Sequence, residues 1–153
     1  MRHFFAHVAG ESFANDDGTD RQTSIAACRV GEALILEPEP DNPKDKNAVR
    51  VLRENGKQIG YVERKMAARL VDDLSDFSAF VARVRRGGDG PYLGVALLIV
   101  VNDGRDTAVV EAYAREVLEA EGNFVREAVA MRWAYFAVGL MLGISGIYWW
   151  FVS

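Results

Sequence analysis

Apolar and polar positions change over in short blocks along most of the chain, which predicts strands rather than long helices. His3 to Val8 is rich in aromatics and stops at Gly10, so it reads as a first strand. Asp16-Asp17-Gly18 marks a turn. Asp20 to Cys28 fits a short helix with Asp20 as N-cap and with Ile25, Ala26 and Cys28 turned inward, ended by Gly31. Ala33 to Glu37 is an apolar run broken by Pro38 and Pro40. Asp41 to Asn47 holds no apolar residue except Pro43 and reads as a loop. Ala48 to Leu52 then places Val49 and Val51 on one face and Arg50 on the other, Asn55-Gly56 is a strong hairpin signal, and Gln58 to Val62 returns. Glu63 to Leu74 has helical spacing, with Met66, Ala67, Leu70 and Leu74 on one side. Phe77 to Val84 alternates so that Phe80, Ala82 and Val84 are expected to share a face, and Arg86 to Pro91 is a loop. Tyr92 to Val101 is a long apolar strand ended by Asn102-Asp103-Gly104. Thr107 to Ala120 predicts an amphipathic helix with Val110, Tyr113, Ala114, Val117 and Leu118 on its apolar stripe. Glu121-Gly122-Asn123 is expected to break it, ahead of a further helix from Phe124 to Arg132. Six short strands with two or three helices fit a mainly β (α+β) fold, a small, partly open barrel of the OB or SH3-like kind.

The pattern changes after Arg132. The last 21 residues carry no charge and no proline, and all three Trp of the chain lie among them. A helix of that length reaches across the roughly 30 Å hydrocarbon core of a bilayer. Trp133 and Tyr135 stand at one end, and Tyr148, Trp149 and Trp150 at the other, as in the aromatic belts of a spanning segment. The expected organisation is therefore a barrel domain over 1–104, an amphipathic helix and juxtamembrane connector over 105–132, and a transmembrane helix over 133–153. Arg126 and Arg132 lie just before the span, which by the positive-inside rule puts the N-terminal domain in the cytoplasm, on a single-pass membrane protein. The run His3 to Val8 is too short for a signal peptide. Gly139 and Gly143 form a GxxxG pair that permits a homodimer through the span.

Charge sharpens the picture of the first 132 residues. The net −4 is uneven: residues 1–40 hold three Arg against seven acids, whereas 41–69 hold eight Lys/Arg against four acids. A basic middle in an acidic chain suits a local anionic partner and argues against a general nucleic-acid coat protein. The single cysteine, Cys28, excludes an intramolecular disulfide and a multi-cysteine zinc site, and reads as a small buried hydrophobe. The chain lacks a GxxxxGK[ST] loop, an HExxH motif and a serine elbow. His3 and His7, four apart on a strand, are too far apart to chelate one ion. The expectation is a non-enzymatic protein without cofactor or metal.

The loop Asp41-Asn42-Pro43-Lys44-Asp45-Lys46-Asn47 stands out. Its Asp and Asn side chains can bond neighbouring backbone amides and hold one shape. It could also display Asn42, Lys44 and Asp45 to a ligand: the carboxylate to a hydroxyl, and Lys44, Lys46, Arg64 and Lys65 to phosphates. Val8-Ala9-Gly10-Glu11-Ser12-Phe13, Leu34 to Val49 around this loop, and Gln58-Ile59-Gly60-Tyr61-Val62 together resemble the HIRAN domain, over roughly residues 3–104. That resemblance implies an OB-like barrel, found alone in bacteria or fused to helicase and nuclease modules. In a eukaryotic member the domain binds the 3′ end of single-stranded DNA, with an aromatic stacked on the terminal base and an aspartate bonded to the 3′-hydroxyl. By that resemblance Phe13 is the stacking ring, Asp45 the loop carboxylate and Arg64 the cation after the IGYV strand. Ser12 replaces an arginine, Lys44 an aromatic and Tyr61 a histidine. The implied site is Phe13, Asn42, Lys44, Asp45, Lys46, Tyr61, Arg64 and Lys65. The expected function is a membrane-tethered module that binds single-stranded DNA or its 3′ end. The rival is a protein-interaction or assembly module of a membrane complex.

Overall fold

A computed structural model describes residues 1–86 and 91–122. Six strands follow in chain order: β1 (His3–Ala9), β2 (Ala33–Pro38), β3 (Val49–Arg53), β4 (Gln58–Val62), β5 (Phe77–Arg86) and β6 (Leu93–Val101). Every neighbouring pair is antiparallel, and the order β1-β4-β3-β2-β5-β6 closes on itself. The expected six strands are thus present, but the barrel is closed rather than partly open. Closure depends on β1 changing partners along its length. His3 to His7 pair with β6, and Val8 and Ala9 pair with Val62 and Tyr61 of β4.

Alternation along the strands fills the interior. Ala6, Val8, Leu34, Val49, Val51, Ile59, Val62, Ala79, Val81, Val95, Leu97 and Ile99 are all buried in one cluster. Two bulges tune which residues reach it. Val51 opposes Gly60 and Leu52 opposes Gln58, so Ile59 is an extra residue, and it is fully buried. Ala82 is likewise skipped between the Val81–Leu97 and Arg83–Ala96 pairs. That second bulge corrects the expected facing of β5. Ala79 and Val81 point inward with Val84 packed against the same cluster, and Phe80, opposite Leu98, lies outside it although still buried. An alternation read straight through the strand has no means of registering the inserted residue.

The β4–β1 seam is unusually tight. Gly60 has φ +150°, and a Cβ there would lie 2.6 Å from the Ala9 carbonyl oxygen and collide with Val8 Cγ1. Only glycine fits.

Two short helices pack their buried apolar residues into the core. α1 (Arg21–Ala26) starts at Asp20, whose carboxylate accepts from the backbone N–H of Gln22 and Thr23, both at 3.1 Å. It buries Ile25, as expected, but Ala26 is exposed, and the helix instead buries Arg21 and Ser24. Cys28 is half-buried against the core. α2 (Arg64–Leu70) buries Ala67 and Leu70. The single helix expected to Leu74 ends four residues earlier, where a 3-10 segment (Val71–Asp76) with a kink at Asp73 takes over, and Leu74 still packs on the core.

The chain divides into two compact units, Met1–Glu116 and Val117–Ser153. A helix covers 107–122, so Glu121 and Gly122 are still helical where a break was expected. In the first unit, its Val110 and Ala114 are buried. Tyr113 ties it to the chain start. The phenol oxygen lies 2.7 Å from His3 Nδ1 and donates to the Met1 carbonyl at 3.1 Å. The expected helix from Phe124, the transmembrane segment 133–153 and the Gly139/Gly143 pair lie outside the described residues. Among the described residues no helix is long and apolar enough to cross a membrane.

Candidate nucleic-acid interface

The outer face of the barrel carries a cross-strand row. Glu37 opposes Arg50, Arg50 opposes Tyr61, and Tyr61 opposes Ala9. Alternation sends Val49 and Val51 inward, so Arg50 between them must point out. Its Nη2 pairs with Glu37 at 3.1 Å, and its Nε is buried without a partner among the described residues.

The loop between β2 and β3 rises beside this row and is held internally. Glu39 N–H donates to the Ala48 carbonyl at 2.8 Å, which closes the hairpin below the loop. Asn42 Oδ1 accepts from the N–H of Lys44 (2.9 Å) and of Asp45 (3.3 Å), and its Nδ2 donates to Glu39 Oε2 at 2.5 Å. Asp45 Oδ1 accepts from Asn47 N–H at 3.0 Å. These are the side-chain-to-backbone bonds that Asn and Asp are suited to make in turns.

Arg64, the first residue of α2, braces the loop from outside. Its Nε donates to Asp45 Oδ2 at 3.0 Å and its Nη2 to the Lys44 carbonyl at 3.2 Å. Both oxygens of Asp45 are engaged, although each keeps a second lone pair for a donor. Asn42 is structural to the loop. Lys44 reaches away from it, with Nζ 5.7 Å from the centroid of the Phe13 ring, within cation–π range.

Phe13 is the exposed aromatic of this region, at 62 %. It follows a sharp turn at Gly10 (φ +77°), where Phe13 N–H donates to the Gly10 carbonyl at 3.2 Å. A Cβ on Gly10 would lie 3.1 Å from Arg21 Nη1, 3.6 Å from Phe13 Cδ2 and 3.9 Å from Tyr61 Cδ2. Three side chains thus converge on a bare stretch of backbone. Of the predicted residues, Phe13, Lys44, Asn42, Asp45 and Arg64 form one connected set, and Tyr61 joins Phe13 through Gly10. Lys46 and Lys65 are exposed and make no ion pair among the described residues.

Sequence reasoning missed Arg21. It is only 5 % exposed, its Nε donates to Asn15 Oδ1 at 2.5 Å, its Nη1 donates to the Gly10 carbonyl at 2.8 Å, and its guanidinium carbon stands 5.2 Å from the Tyr61 ring centroid. Asn15 is buried too and donates to Thr19 Oγ1 and the Gln58 carbonyl. A guanidinium that pairs with no carboxylate among the described residues costs roughly several kcal/mol to bury. Two neutral acceptors and an aromatic face offset part of this. Its position directly after the N-cap sends the side chain back over the turn that precedes the helix, but nothing in the sequence marks it as buried.

The profile of the HIRAN domain matches residues 2–101. The helicase-like transcription factors of Oryctolagus cuniculus and Mus musculus are each 49 % identical to this chain, over 39 and 37 residues, or 26 % and 24 % of it. The matched segment is about 4 % of either relative's length. Among solved structures, the HIRAN domain of human HLTF aligns at 22 % identity and TM-score 0.46, over 63 % of this chain and 72 % of that one. A Lactobacillus plantarum protein aligns at the same identity and TM-score, over 62 % and 89 %. With the profile spanning the whole barrel, from Arg2 to Val101, the chain belongs to the HIRAN domain family.

Proposed function

We propose that the barrel is a non-catalytic module that binds single-stranded DNA at its 3′ end. Family membership supports nucleic-acid binding in general. The observation that carries the finer reading is the pairing of an exposed ring, Phe13, with a braced polar loop beside it. A base can stack on Phe13, which is worth about 1–3 kcal/mol per base. Lys44, Lys46, Arg64 and Lys65 can meet the backbone phosphates, and Asp45 can accept from a terminal hydroxyl through its remaining lone pairs. Arg64 holds the Asp45 carboxylate in place, so a 3′-phosphate there would meet like charge.

The apolar stretch 133–153 supports tethering of this module at the cytoplasmic face of a membrane, with a homodimer through Gly139 and Gly143, on sequence alone. The test is fluorescence anisotropy on the 153-residue chain in non-ionic detergent, with short oligonucleotides ending in 3′-hydroxyl or 3′-phosphate. Tighter binding of the hydroxyl form is expected. Equal binding removes end recognition, and no binding at low salt removes the nucleic-acid reading.

A further inference from the structure

Among the described residues no carboxylate pairs with Arg21. The ion pairs among the described residues are Arg2–Asp103, Arg50–Glu37, Arg53–Glu32 and Arg64–Asp45, and none involves it. Its Nε and Nη1 are spent on Asn15 and Gly10. Among the described residues its Nη2 makes no hydrogen bond. Its Nη1 lies beside Gly10, where an added Cβ would also meet Phe13 and Tyr61, and the glycine leaves the backbone open to close approach.

We propose that Arg21 is a buried phosphate anchor, whose Nη2 binds one phosphodiester of the nucleotide stacked on Phe13. This rests on the single-strand reading above and adds to it a residue, a chemical group and a position. Lys46 and Lys65 are exposed and make no ion pair among the described residues. Arg21 is fixed at three points by Asn15, Gly10 and Tyr61, so it selects one linkage rather than attracting all of them. Asn15 and Tyr61 act here as positioning residues.

The test uses the full chain in detergent and a hexathymidylate with a 3′-hydroxyl, in which each phosphodiester in turn is replaced by a neutral methylphosphonate. For the unchanged protein, one linkage should stand out, its replacement weakening binding about tenfold. Arg21→Met should weaken binding of the all-phosphodiester strand by a similar factor. It should also reduce the effect of that one replacement to under twofold, and make the log–log salt slope shallower by about 0.7. Arg21→Lys should restore at least a threefold sensitivity at the same linkage. If Arg21→Met weakens binding while every linkage keeps its original sensitivity, Arg21 is only a structural prop and the proposal is wrong.

Should the Met variant fail to fold, the unchanged protein still decides. The Arg21 Nε–H signal, assigned by its loss in Arg21→Lys, should shift on saturation with the natural strand, and an unmoved signal overturns the anchor. Failure of the underlying reading looks different: the unchanged chain then binds no strand at low salt, and the anchor falls with it.

Discussion

The two faces of the β3–β4 hairpin are held by different forces. Inward, Val49, Val51, Ile59 and Val62 meet only apolar neighbours and are sealed from water. Outward, the same strands carry Arg50 and Tyr61, flanked by Glu37, Arg21 and the Arg64-braced loop. The inner face contributes stability through burial, which has no direction. The outer face contributes little net stability per contact, because exposed ion pairs are worth about 0–1 kcal/mol. What it supplies is geometry. A loop longer than chain reversal requires is tied by Asn42, Asp45 and Arg64, whereas the Asn55-Gly56 turn at the other end of β3 simply reverses the chain, with Gly56 at φ +77°.

This contrast predicts that the two faces fail separately. The largest effect belongs inside. Ile59→Ala should cost about 2–5 kcal/mol of unfolding free energy by denaturant titration, because it empties a fully buried position. Oligonucleotide affinity measured where the variant is still folded should stay within twofold. A large loss of affinity there would join the two faces energetically and break the comparison.

Next comes Phe13→Ala. It should lower affinity by about 1–3 kcal/mol, as read by anisotropy, with the thermal midpoint almost unmoved, because the ring is mostly solvent-exposed. Asp45→Ala is smaller again. Preference for the 3′-hydroxyl should vanish while salt-dependent affinity remains, and retention of the preference would assign end recognition elsewhere.

The smallest effect is acid sensitivity. The Thr23 hydroxyl, followed by the Gln22 backbone amide, holds the Asp20 carboxyl below its ordinary value, and Thr19 does the same for Asp17. For Glu32, burial pushes the carboxyl up, but Arg53 and the Arg29 backbone amide outweigh it and leave it lowered. A depressed folded value stabilises above the unfolded carboxylate range and is lost as pH falls through the folded value. Stability should therefore decline below about pH 4. Asp20→Asn should flatten part of that decline in thermal melts at stepped pH, and an identical pH profile would remove Asp20 from it.

Much of the fold was legible because strands and turns are written locally. Val49, Arg50 and Val51 declare their faces by alternation, Asn55-Gly56 declares a hairpin, and Asp20 declares a helix start. The loop residues were legible too, since Asx bonding needs only near neighbours. The misses are non-local. The bulge at Ala82 is set by β6, the Arg64–Asp45 contact joins residues 19 apart, and the burial of Arg21 depends on Tyr61 of β4 as well as on Gly10 and Asn15 of the preceding connection. A charged residue in a polar stretch has no periodicity that would mark it as interior.

The stitch between Tyr113 and the residues Met1 and His3 bears on how such a barrel is reused. It brings the first residue of the unit beside one near its last, 112 positions later. A module whose entry and exit points coincide can be spliced into the surface loop of another protein without pulling either host or guest apart. The same contact makes the unit a convenient cassette for engineering. A host loop joined near both points would keep the barrel intact, while the Phe13 and Asp45 surface is built from other segments.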